Sequence, residues 1–230
     1  MHKLAEAFVI ALRLIVTGDP VVMEITLLTL AVSAGATLIS CVLFTPLACL
    51  IHFTRFPGRK ALIGFIQALY SMPTVFAGLI VFLFLSRAGP LGSMGLLFTP
   101  RAMVIAEVVL VAPVILGLVI SALKVSAGDS ADTVRALGAS PLQTAVVVLA
   151  EARFAVLSAF LLGFGRAISE VVAAMMVGGN IAGRTRTLTT AISLGVGKGE
   201  VAESIALGLV LMALALLVSL AVHMTGMRKT

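Results

Sequence analysis

Asp129-Ser130-Ala131-Asp132-Thr133-Val134-Arg135-Ala136-Leu137-Gly138-Ala139-Ser140-Pro141-Leu142 interrupts two long apolar stretches with a run of helix start and stop signals. Asp129 or Ser130 can accept hydrogen bonds from the free amides at the start of a helix. Asp132 falls in the first turn, where a negative charge suits the helix dipole. Gly138 can adopt the left-handed conformation that ends a helix. Ser140 then offers a second cap, with Pro141 at the first helical position. The stretch therefore predicts a short helix, a sharp turn and a new helix, within the one long polar interruption at 124–142.

The sequence around it is that of a membrane protein. Of 230 residues, 60% are hydrophobic and 11% charged, and the mean hydropathy is +1.20. A soluble domain carries about 25% charged residues, so this chain has too few to keep a soluble surface wet. Its apolar runs are continuous rather than alternating, which favours helices over a spanning barrel. The expected fold is an all-α integral membrane protein with five spans, near 23–51, 61–85, 100–123, 152–177 and 204–223. Residues 4–16 are too short and too interrupted by Arg13 to read cleanly as a span. They are read as an interfacial helix ended by Asp19-Pro20, with a sixth span as the alternative. The expected organisation is thus an N-terminal helical segment, 1–22, and a transmembrane domain, 23–230.

Pro46, Pro73 and Pro113 fall inside expected spans, where proline is read as a kink rather than an end. Cys41 and Cys49 share one apolar stretch and are read as small buried residues. The net charge of +6 points to cytoplasmic loops near anionic lipid and not to nucleic acid. Lys and Arg divide almost evenly between the two sides of a five-span topology. The cluster Arg55, Arg59 and Lys60 favours placing 53–60 in the cytoplasm.

Charges within the expected spans are the candidates for chemistry. Gly163-Phe164-Gly165-Arg166-Ala167-Ile168-Ser169-Glu170 places Arg166 and Glu170 four residues apart on one expected helical face. A charge at mid-bilayer costs about 2.5–3.5 kcal/mol on insertion scales, so both should face protein or a water-filled path. Two readings stand. Either the pair serves only to hold the bundle, or Arg166 attracts an anion whose binding Glu170 keeps weak enough for release. Glu107 is a third intramembrane charge and a potential partner for Arg166.

With these residues set out, the loop at 129–142 resembles the Glu-Ala-Ala loop of ATP-binding-cassette importer permeases. In that family the loop carries a coupling helix that enters a cleft of the ATPase. Asp132 stands where Glu is usual, and Thr133-Val134 stand for the alanines. Gly138, Val147 and Leu149 match the pattern, and Ala150 replaces a proline. Gly-Arg-Ala-Ile-Ser-Glu (165–170), Ala-Ala-Met-Met-Val-Gly-Gly-Asn (173–180) and Thr187-Leu188-Thr189-Thr190 are similar to tungstate permeases, as are Ser86–Gly92 and Leu97–Pro100. The likeness runs from Gly18 to Leu217.

The resemblance implies a homodimer with the path at its interface, two cytoplasmic ATPase subunits, an extracytoplasmic binding protein and an oxyanion substrate. It also implies location in the inner membrane of a prokaryotic cell, and no cofactor in this chain, ATP and Mg2+ belonging to the ATPase. Asp132, Thr133, Arg135, Ala136, Leu137, Gly138 and Ala139 become the coupling residues. Arg166, Ser169, Glu170, Met175, Met176, Thr187 and Thr190 become the candidates for the path, although Met175 and Met176 also read as packing. Arg184 and Arg186, on the expected outer side, could meet the binding protein or the anion, or form a solvated loop.

Other functions fit less well. A permease for molybdate, sulfate, phosphate or an organic ion would keep the architecture. An ion-coupled carrier using Glu107 and Glu170 leaves the 129–142 loop unexplained. An intramembrane protease would need a base for Ser169, and His52 and His223 sit at expected span ends. No phosphate-binding Gly-rich loop with Lys is present, so the chain should not hydrolyse ATP itself; the expectation is a transporter subunit, not an enzyme, with ATP hydrolysis by a separate partner.

Overall fold

The computed structural model describes residues 8–10, 12–13, 17–126 and 128–227. Every regular element among them is helical: α1 (Pro20–Phe53), α2 (Arg59–Ala68) with a 3-10 turn (Leu69–Ser71), α3 (Thr74–Leu85), α4 (Pro100–Ser126), α5 (Gly128–Ala136), α6 (Pro141–Glu151), α7 (Arg153–Ile168), α8 (Val172–Gly178), α9 (Leu188–Lys198) and α10 (Val201–Met227). The helical segment expected over 4–16 lies largely outside the described residues. Asp19 marks the start of α1 rather than only the end of what precedes it: its carboxylate accepts from the amides of Val21 and Val22 at 2.9 and 3.1 Å.

Three helices are long and apolar enough to cross a membrane: α1, α4 and the first 21 residues of α10. The other two expected spans are bent. The helices before and after Pro73 meet at 97°, and α6 meets α7 at 72°. Counting each bent pair as a span gives five. Pro46 and Pro113 sit inside continuous helices. Pro73 instead stands at a break, because it follows a 3-10 turn and the chain restarts as α3. The expected fourth span, 152–177, is also not one rod. It stops at Ile168 and restarts as the seven-residue α8.

α4 is the central helix, with 67% of its apolar window buried against 11% for α10. It packs along α1, whose Ile25, Thr29, Val32, Ser33, Ala36, Thr37 and Ser40 are buried at helical spacing. Small side chains let the two backbones approach closely, which is how helices associate where lipid removes the hydrophobic drive. Buried hydroxyls on this face satisfy themselves on the preceding turn: Thr29 donates to the Ile25 carbonyl at 2.6 Å and Thr37 to Ser33 at 2.7 Å. Two apolar cores flank α4 lengthwise. Met103, Ala106 and Leu110 pack with Ala77, Val81, Ala173 and Val177. Val111, Ile115, Val119 and Leu123 pack with Ala48, Ile51, Val148 and Val156. The opposite faces of α1 and α10 leave Leu38, Val42, Leu43, Leu216, Leu217 and Leu220 exposed, as lipid-facing positions should be. Cys41 and Cys49 are free and half-buried.

Gly163 fixes the α7–α4 crossing. A Cβ there would stand 2.9 Å from Ile115 and 3.1 Å from Val111. Gly163→Leu is therefore expected to lower stability by about 1–3 kcal/mol, read as a fall in melting temperature of the purified protein in detergent.

Candidate functional site

The residues singled out by sequence fall in two places. The first is α5 and the turn after it. Its helix starts at Gly128, so Asp129 and Ser130 lie within its first turn rather than before it. The turn forms as the sequence predicts: Gly138 has φ +85°, and the amides of Gly138 and Ala139 return to the carbonyls of Arg135 and Val134. Ser140 and Gln143 then form a reciprocal capping box at the start of α6, with Pro141 at its first position. Asp132 and Arg135 pair at 3.5 Å with side chains 85% and 48% exposed. An ion pair so open to solvent adds little stability. Thr133, Ala136 and Leu137 are exposed and Ala139 partly so, with Leu137 83% open beyond the end of α4. The exposed face of α5 and the turn after it thus carries both charge and an uncovered leucine.

The second place lies between α7 and α9. Arg166 is in the last turn of α7, and Glu170 follows the helix rather than continuing it. The two still meet: Arg166 Nη1 donates to Glu170 Oε2 at 3.0 Å. The other carboxylate oxygen accepts from the Ala173 amide at 3.1 Å, at the start of α8. This bond is the local reason the fourth apolar run breaks, since the carboxylate satisfies an amide that a continuous helix would pair with residue 169. Glu170 is 4% exposed at its side chain and Arg166 34%. The guanidinium thus reaches an accessible space while its counter-ion is buried. Ser169 is exposed, and its hydroxyl donates to the Gly165 carbonyl at 2.8 Å.

The polar stretch that follows is folded back into the protein. Thr189 donates to the Glu170 carbonyl at 2.7 Å, and the Leu188 amide donates to Thr29 on α1 at 2.8 Å. Thr187 and Thr190 form a capping box on α9 and are buried, at 3% and 0% exposed. Met175 and Met176 are half-buried on α8. The Gly178-Gly179-Asn180 turn has a packing cause: a Cβ on Gly178 would meet Met103, and Gly179, at φ +74°, lies against the Phe98 ring. Asn180 donates to the Thr190 carbonyl at 3.1 Å and accepts from Arg186 Nε at 3.3 Å. Arg186 is thereby held, while Arg184 is exposed.

Glu107 is 3% exposed on α4. It lies near Ser33 and within electrostatic reach of Glu170, and its Oε2 has no hydrogen-bond partner among the described residues, whereas Arg166 pairs with Glu170. Sequence reasoning missed Thr29 and Ser33. Their signal was present, as hydroxyls recurring at helical spacing through an otherwise apolar stretch.

Comparison with known proteins agrees with this architecture. Residues 44–228 match the family model described as binding-protein-dependent transport system inner membrane component. The chain is 38% identical to the tungstate uptake system permease protein TupB of Peptoclostridium acidaminophilum, over 97% of this chain and 98% of that one. It is 40% identical to a probable anion ABC transporter permease protein of Haloferax volcanii, over 84% and 85% of the two chains. It is 37% identical to the TupB of Campylobacter jejuni, over 74% and 72%.

Glu170 offers a test of this interior. Glu170→Ala leaves Arg166 and the Ala173 amide without their partner, which costs about 1–3 kcal/mol. Glu170→Gln keeps an acceptor for the amide. The expected order of melting temperature is wild type, then Gln, then Ala.

Proposed function

Because the chain belongs to the binding-protein-dependent transport system inner membrane components, we propose that it is the translocating subunit of a tungstate importer. As a member of that family it is a multi-pass inner-membrane protein and a transporter subunit, working with an ATPase and a substrate-binding protein. The observation that carries the tungstate reading is the 38% identity to a tungstate permease along 97% of the chain. The half-exposed guanidinium inside the helical bundle supports it chemically.

In this reading two copies form the path, and two ATPase subunits hold ATP and Mg2+. The ATPase grips α5 through Asp132, Thr133, Arg135, Ala136, Leu137, Gly138 and Ala139. Closure of the ATPase dimer pulls α5, and the capping box of α6 passes the movement to α6 and then α7. Rigid transmission suits this route, because Gly138 and Ser140 fix the angle between α5 and α6 through backbone hydrogen bonds.

α7 carries Arg166, whose charge lowers the cost of bringing a divalent oxyanion into a medium of low dielectric. Glu170 competes for the same guanidinium. Binding is thereby kept weak, as conduction requires. Ser169, exposed beside the pair, would donate to the anion only on releasing the Gly165 carbonyl. Met175 and Met176, on α8 immediately after, would narrow the passage. Thr187 and Thr190 act by capping α9 and so position the wall of the path.

Uptake into vesicles holding the permease, its ATPase and its binding protein tests the function. The expected result is ATP-dependent uptake that prefers tungstate to molybdate and sulfate. Uptake of another anion would overturn the substrate, and uptake without ATP would overturn the coupling. In the same vesicles Gly138→Val, strained at a left-handed position by about 1–2 kcal/mol, should hydrolyse ATP while importing poorly. Arg166→Ala should lose uptake with the assembled complex still recovered on size exclusion. Collapse of that complex would make Arg166 structural.

A further inference from the structure

Where α1 ends, Arg55, Arg59 and Arg135 converge on one small polar cavity, and of the three Arg135 is also among the proposed coupling residues. Its volume is about 240 Å³. Its walls are His52 and Phe53 at the end of α1, Arg55 in the following loop, Arg59 at the start of α2, and Ala131, Asp132 and Arg135 on α5. A water molecule's share of liquid volume is about 30 Å³, so the space accepts a tetrahedral anion with its hydration. Three guanidiniums face one carboxylate, which leaves two positive charges in the lining. Like charges gathered at short range repel, and a bound dianion is the simplest group that removes the repulsion.

The donors are available. Arg59 gives Nε to the Ile51 carbonyl at 2.7 Å and Nη2 to the His52 carbonyl at 2.9 Å, which pins the guanidinium and leaves it other N–H groups. Among the described residues Arg135 pairs with Asp132 alone, and at 3.5 Å. Arg55 has no carboxylate partner among the described side chains. Nδ1 of His52 is buried and makes no hydrogen bond among the described residues, and the charges of Arg59 and Arg135 both reach this ring. Asp132 works against an anion, but its side chain is 85% exposed, so solvent screens its charge.

We propose that this cavity is a binding site for a tetrahedral oxyanion, held by Arg55, Arg59 and Arg135 at the joint between α1 and α5. Family membership puts α5 on the cytoplasmic side. Two sources supply that chemistry there: the phosphate of an anionic lipid in the inner leaflet, which basic juxtamembrane clusters attract, or a free dianion in the cytoplasm. Either would bridge α5 to α1. Occupancy would then restrain the element that the ATPase moves. The inference does not depend on which anion is cargo, since it rests on the lining of the cavity and on the side it faces.

The test is binding by the full-length permease without its partners, so its outcome is separate from that of the uptake assay. The chain has no Trp, and Cys41 and Cys49 are free, so a thiol-reactive dye reports unfolding. One arm uses nanodiscs of phosphatidylcholine with added tungstate or inorganic phosphate. The other uses nanodiscs containing phosphatidylglycerol with no added anion. We expect a rise in melting temperature in at least one arm: the first identifies a free anion, the second a lipid headgroup. Arg55→Gln and, separately, Arg135→Gln should each weaken the response at least about tenfold, the value of one charge-assisted hydrogen bond. Arg87→Gln, exposed in the loop after α3, should leave it intact. An unchanged melting temperature in both arms would overturn the proposal. So would a response that Arg55→Gln and Arg135→Gln share fully with the wild type, or one that Arg87→Gln abolishes.

Discussion

A carboxylate in a nonpolar slab must find every partner inside the protein, and Glu170 is where this chain meets that demand. Its two oxygens take the Arg166 guanidinium and the Ala173 amide, and its carbonyl takes the Thr189 hydroxyl. Those three bonds join α7, α8 and α9. At the break after Ile168, Glu170 takes the Ala173 amide and Thr189 donates to the Glu170 carbonyl, while Thr190 and Thr29 accept from the Thr187 and Leu188 amides at the start of α9. The folded-back segment exists because each of these polar groups has a named acceptor or donor.

That interior joins the cytoplasmic end through helices that are stiff where they must carry force and bent where they must not. α4 runs unbroken from Pro100 to Ser126 and is enclosed by α1, α7 and α8. α5 leaves its end and anchors through the buried Ala131, while Asp132, Arg135, Ala136 and Leu137 stay exposed. α6 and α7 meet at 72°, and α7 carries Arg166. In the proposed coupling, a pull on α5 would reach Arg166 through that bend, past the arginines at the α1–α5 joint.

Much of the frame was legible. Hydropathy placed α1, α4 and α10 within a few residues, because an apolar stretch in lipid has no option but to pair its own backbone. Gly138, Ser140 and Pro141 were legible for another reason: capping is decided within a few residues of chain. The breaks were not. Pro73 was read as a kink and is a junction between two helices at 97°. The run 152–177 was read as one span, because its hydropathy hides a carboxylate that prefers capping α8 to extending α7.

The sequence by itself determined that the chain is helical, that it belongs in a membrane, and that a capped helix–turn–helix protrudes between two spans. These follow from composition and from interactions reaching no further than one turn. Only the tertiary structure decided that Arg166 pairs with Glu170 rather than Glu107, that Thr29 on α1 receives the Leu188 amide, and that Arg55, Arg59 and Arg135 share a cavity. Those pairings join residues up to 159 positions apart. They are set by how small side chains let helices approach, and a linear pattern of hydropathy carries no record of which faces meet.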